Sequence, residues 1–167
     1  EALALLARVY EAQKDYEQAI GTYRRLQSLE GDDPNVWRPL GVAYLKAGQY
    51  DRARQILIAA AQRWPEDGTV FRHLGYCCIR LDDIDQAREM YQRAIDLDSR
   101  DWEARRGLGV ACMITARRTG EAHWQAEALR HWRRALVLKP DQPKRETLEK
   151  LIRDHSSVQN SLEGLDY

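Results

Sequence analysis

The chain has no surplus of charge of either sign: 26 Lys and Arg are balanced by 26 Asp and Glu. It therefore lacks the cationic excess that draws a protein to nucleic acid or to an anionic membrane surface, and any electrostatic role must be local. It also lacks a run of eighteen or more apolar residues, the length of a membrane-spanning helix. Helix breakers are few, with five prolines and ten glycines, and strand-forming runs are scarce. Ala, Leu, Arg, Glu and Gln dominate instead, a mixture that favours helix along the whole chain. Cysteine is sparse too. Cys77, Cys78 and Cys112 cannot all pair within the chain, and their spacing matches neither a zinc site nor a disulfide framework. They are expected as reduced, buried thiols. The sequence starts at Glu1, without Met and inside an apolar periodic pattern, as expected of an excised fragment, so targeting signals cannot be judged.

What the chain does have is internal repetition. Trp37, Leu40, Gly41, Tyr44, Ala53, Leu57, Ala60 and Pro65 recur 34 residues later as Phe71, Leu74, Gly75, Cys78, Ala87, Tyr91, Ala94 and Ser99. The same step backwards gives Leu3, Leu6, Ala7, Tyr10, Ala19, Tyr23, Leu26 and Gly31. A fourth copy begins with Leu108, Gly109 and Cys112 and resumes seven residues late as Ala128, Trp132, Ala135 and Pro140. Arg105 stands there in the place of Trp37 and Phe71, with Trp102 one turn earlier as a substitute. Within each copy, large residues at i, i+3 and i+7 lay an apolar stripe on a first helix. The glycine beside the stripe costs about 1 kcal/mol against Ala, which close approach of a second helix must offset.

Breaks at Ala47-Gly48-Gln49 and Leu81-Asp82-Asp83 fall inside copies, and those at Pro65 and Pro140 fall between them, because proline cannot continue a helix. Four repeats are expected over 1–33, 34–67, 68–101 and 102–142, then a capping helix over 143–155 and a tail over 156–167. The seven extra residues of the fourth repeat are close to two helical turns, so both of its helices should lengthen, with Gly120 near their loop.

The residues quoted resemble the tetratricopeptide repeat, with its W-x2-L-G-x2-Y, A-x3-F-x2-A and final P, over about residues 1–142. The resemblance implies an all-α, right-handed superhelical solenoid of about four helix-turn-helix repeats plus a C-terminal capping helix. It also implies a concave groove, lined by the first helices, that binds extended peptides or helices. Carried over to this chain, the groove positions are Arg38, Arg72 and Arg106, one per repeat. Next come Val42, Tyr76 and Val110, then Leu45, Ile79 and Met113, with Lys46 and Arg80 beside them. Such a surface suits a partner whose hydrophobic side chains are flanked by carboxylates. The competing expectation, left open here, is that the three arginines pair with acids on adjacent repeats. Co-chaperone members of the family clamp a C-terminal carboxylate with Lys and Asn. Val42, and Pro39 or His73, replace the asparagines here, which disfavours that partner class. A further alternative is self-assembly, with tail residues Leu162, Glu163, Leu165 and Asp166 docking in the groove of a second copy.

Enzymatic signatures are thin. His123, Glu127 and His131 are spaced four apart on one helical face and could in principle hold a divalent metal. They lack the H-E-x-x-H arrangement, so a solvated surface helix is expected. No phosphate-cradling glycine loop or nucleophile elbow occurs, and no cofactor is expected. Helical-repeat RNA readers of the pentatricopeptide type need hydrogen-bonding groove residues, which Val42, Tyr76 and Val110 do not provide. The expectation is a non-enzymatic scaffold or adaptor for a protein or peptide, with no nucleic acid and no direct membrane insertion.

Overall fold

Asp33, Asp67 and Asp101 recur at the repeat period, and each accepts a hydrogen bond from an amide just ahead, those of Asn35, Thr69 and Ala104. An aspartate there satisfies an orphan N–H of the first turn and faces the positive end of the helix dipole, so it marks where a helix starts. Asp15 and Asp83 do the same through Gln18 and Gln86. The computed structural model describes residues 1–163, and among these the chain forms nine α-helices and no strand. These are α1 (Ala2–Ala12), α2 (Tyr16–Glu30), α3 (Pro34–Lys46), α4 (Tyr50–Arg63), α5 (Gly68–Arg80), α6 (Ile84–Leu97), α7 (Trp102–Thr119), α8 (Ala122–Leu138) and α9 (Arg145–Glu163). None is long and apolar enough to cross a membrane.

The helices pair in order, α1 with α2 through α7 with α8, each hairpin leans on the next, and α9 closes against α8. Odd-numbered helices also meet one another, α3 with α5 and α5 with α7. Among the described residues no comparable contact joins successive even-numbered helices. The layer whose members lie closer together is the inside of a bend, so the odd helices line the concave side. The result is a right-handed superhelical solenoid capped by α9.

Hairpins close over glycine. A Cβ at Gly75 would stand 2.8 Å from the ring of Tyr91, and one at Gly109 would collide with the indole of Trp132. Trp132 is buried and donates its indole N–H to the carbonyl of Arg106 at 3.2 Å. At the other aromatic position of the repeat, on a first helix, Trp37 donates its indole N–H to the Gly31 carbonyl at 3.0 Å. Arg105 occupies the Trp37 register and donates to the Ser99 carbonyl, the Gly31 register, at 2.9 Å. The guanidinium thus reproduces the polar half of the tryptophan's role. Trp102 does not substitute for the indole, because it lies beneath the guanidinium of Arg106 at 5.1 Å.

The inserted residues lengthen both helices of their hairpin: α7 has 18 residues and α8 has 17, against 13 in α5 and 14 in α6. Gly120, with φ of 74°, ends α7 in the left-handed region that glycine enters without steric cost. α9 continues beyond His155, where the sequence pattern suggested an end. Ser156 bonds back to the Ile152 carbonyl and accepts from Arg133 of α8, while Gln125 of α8 donates to the His155 carbonyl. These bonds hold the helix against α8 beyond Ile152. All three cysteines are free and buried. Burial pushes the Cys77 and Cys112 thiols up to about 11, so they stay protonated at neutral pH.

Candidate partner-binding groove

Helical spacing puts residues four apart on one face, so Arg72, Tyr76 and Arg80 form a file along α5, and Arg106 and Val110 form one along α7. The structure brings Arg72, Tyr76, Ile79, Arg106 and Val110 together around one pocket of about 320 Å³ between these concave-side helices. Tyr76 is 41% exposed and Val110 38%, the two large apolar side chains that this pocket offers to solvent. Its remaining walls are His73, Tyr91, Glu103 and Gly107, which the sequence pattern did not select. Gly107 is there because Tyr91 is: a Cβ at that position would run into the phenol.

The arginines are not equivalent. Arg38 reaches Asp67 at 2.7 Å. Arg72 reaches Asp101 at 3.0 Å and Glu103 at 2.8 Å. Asp67 and Asp101 are also the N-caps of α5 and α7, so each carboxylate ties the start of one first helix to the middle of the preceding one. Arg106 has a different environment, donating to the neutral carbonyl of Pro143 at 3.3 Å. Lys46 stands 3.7 Å from Glu11 of the preceding hairpin. Arg80 donates to the Tyr76 hydroxyl at 3.0 Å and lies over the ring of Tyr50.

Two expected groove residues belong elsewhere. Leu45 and Met113 are buried within the hydrophobic core. Ile79, at the same register of α5, is only half-buried and stays at the pocket. Val42 is half-buried in the first repeats. His73, between Arg72 and Arg38, is held down to about 4, by burial first and by those two guanidinium groups second, so it is neutral at pH 7.

The His123, Glu127 and His131 face splits apart. His123 is exposed and packs on Trp124 with ring centroids 4.5 Å apart. His131 is buried, 3.7 Å from Glu127. This corrects the expectation of a solvated face: allowing for the insertion, His131 takes the register of Ile56 and Met90, both packed against the core. Among the described residues no three His, Cys, Asp or Glu side chains converge as metal ligands. The expected docking of the tail through Leu162, Glu163, Leu165 and Asp166 rests on side chains that lie outside the described residues.

A family model described as tetratricopeptide repeat matches residues 38–99 and 79–134, and a second with the same description matches residues 1–43. The TPR repeat-containing protein YpiA of Bacillus subtilis (strain 168) is 36% identical over 67 residues, which make up 40% of this chain and only 16% of that protein. Among solved structures, MamA from Desulfovibrio magneticus RS-1 (residue 41 to its end) superposes with a TM-score of 0.71 at 21% identity, covering 84% of this chain and 75% of that one. YrrB, described as a TPR protein with an unusual peptide-binding site, gives 0.70 at 18%, covering 86% and 71%. The first TPR of Spaghetti (RPAP3), bound to the HSP90 peptide SRMEEVD, gives 0.66 at 20%, covering 76% and 93%. At these identities the shared property is the fold.

Proposed function

The chain belongs to the tetratricopeptide repeat family, and from that premise we propose that it is a protein-interaction scaffold whose concave groove holds an extended or helical, apolar and acidic segment of a partner. One observation carries this reading: Tyr76 and Val110 present large apolar surface side by side in a concave pocket edged by guanidinium groups. Contiguous exposed apolar surface rimmed by polar groups is what interaction sites offer. YrrB and the RPAP3 repeat are both described with a peptide site or a bound peptide, which supports the same use of the fold.

Internal pairing changes how the groove is weighted. Arg38 and Arg72 already have carboxylates, so burial of Tyr76, Val110, Ile79 and Val42 supplies most of the affinity, with charge contributing selectivity and association rate. No enzymatic step enters this reading.

The test is a display selection of random peptides on the wild-type chain, followed by binding of the enriched peptides to a variant carrying Tyr76→Glu and Val110→Glu. Both positions are exposed, so stability should change by no more than about 0.5 kcal/mol per site. The enriched peptides should lose measurable binding to the variant. Undiminished binding to a folded variant would place their site elsewhere and defeat the reading.

A further inference from the structure

The arginine-to-carboxylate rule of the inner layer breaks at its third rung. Arg38 pairs with Asp67 and Arg72 with Asp101. Counting one more period plus the seven inserted residues from Asp101 leads to Gln142. Gln142 carries no charge and is turned inward: it is 3% exposed and donates to the carbonyls of Ala135 at 3.0 Å and Lys139 at 3.2 Å. Arg106 is left with the neutral Pro143 carbonyl and the face of Trp102. Among the described residues no carboxylate stands within ion-pair distance of it. Glu103, one turn earlier on α7, is engaged by Arg72.

This guanidinium borders a second cavity, of about 240 Å³, between α7, α8 and α9. Val110, Trp132, Leu148 and Leu151 give it apolar walls, Lys144 adds a second cation, and no acidic side chain lines it. Arg106 and Val110 also line the α5–α7 pocket, so the charge sits at the boundary between two apolar recesses.

Resting on the groove reading above, we infer that this end of the groove selects an acidic residue flanked by apolar ones. The partner's carboxylate takes the place, on Arg106, that Asp67 and Asp101 fill on the other rungs. Its apolar neighbours enter the recesses on either side of Val110. A guanidinium fork matches a carboxylate bidentately, and such charge-assisted bonds are stronger and more directional than neutral ones. Lys144 stands as a point charge at the rim.

The experiment uses the peptides enriched by random-peptide display on the full chain, with fluorescence anisotropy as readout. Enriched sequences should share an Asp or Glu between large apolar residues. Replacing that acid with its amide should weaken binding at least 10-fold. Arg106→Gln should weaken the acidic peptide to the same extent and bind acidic and amide peptides alike. Should loss of the Pro143 bond loosen α9 in that variant, as a thermal melt would show, Lys144→Gln decides at an exposed position, with a smaller loss of the same sign expected. Enriched peptides without an acid, or an acid indifferent to Arg106→Gln and Lys144→Gln, overturn the inference while leaving the groove as the peptide site, provided Tyr76→Glu with Val110→Glu still abolishes binding. No enrichment at all, or binding that survives the double variant, defeats both.

Discussion

Single residues in this molecule are read correctly when their register is followed and misread when only their neighbours are. His131 lies among polar and charged residues, which suggests a solvated helix, yet its register is that of Ile56 and Met90 and it is buried. Burial holds its imidazole down to about 4, reinforced by Arg130 and opposed by Glu127. In the unfolded chain it titrates near 6.5. Between those values the unfolded state binds the proton and the folded state does not, so stability falls as pH drops from about 6.5 to 4 and levels below that. At about 1.4 kcal/mol per pH unit, His131 contributes up to about 3 kcal/mol of this loss, with His73 acting in the same direction. His131→Leu should make the plot of unfolding free energy against pH shallower over that window, measured by urea titration. An unchanged slope would mean that the side chain is already solvated. The core at this site has its anchor in Trp132, where truncation to Ala should cost about 3–5 kcal/mol. Trp37 is the half-buried member of the same class and should cost less, as paired thermal melts of the two variants would show.

At the scale of helices, the periodic arginines were legible and two uses for them were left open; Arg38 and Arg72 follow the one in which they pair with acids of the adjacent repeat, and Arg106 does not. Arg38 and Arg72 each lie 29 residues before their aspartate, a constant offset that the sequence displays. Offset alone says nothing about distance until the bend of the solenoid brings the middle of one first helix over the start of the next. Register alone does not decide which of these positions open: Leu45 and Met113 are core, whereas Ile79, in step with them on α5, is half-buried and lines the pocket beside Tyr76 and Val110. Asp101 is 7% exposed at its side chain and Arg72 22%, so their pairing is shielded from water on one side. Asp101→Ala removes a cap, worth about 1 kcal/mol, and leaves Arg72 with Glu103 alone. A total loss of about 2–3 kcal/mol is expected. A double-mutant cycle with Arg72→Ala should return a coupling of about 1 kcal/mol or more. Additive losses would show that the pair is structurally present but energetically silent.

The molecule as a whole was the most legible level, because its architecture is written several times over: stripe, glycine, small residues and capping aspartate recur at one period, so no single deviation conceals the pattern. What repetition does not encode is how far each repeat is covered by its neighbours among the described residues. Leu6 is 41% exposed and Val9 43%, whereas their register partners Leu40, Leu74 and Leu108, and Ala43, Cys77 and Ala111, are all buried. In a stacked array, stability is approximately the sum of each repeat's own contribution and those of its interfaces. Among the described residues α1 and α2 have one such interface, with α3, while the hairpins from α3 to α8 have one on each side, the last supplied by α9. Unfolding should accordingly be graded along the chain. Amide hydrogen exchange under native conditions should show α1 opening at a free energy near the fraying limit of about 0, with protection rising through α3 and highest in α5 to α8. Low concentrations of urea should melt the first hairpin before the rest. Uniform protection from α1 to α8 would show instead that the four hairpins behave as one cooperative unit, and that the uncovered face of α1 costs the array little.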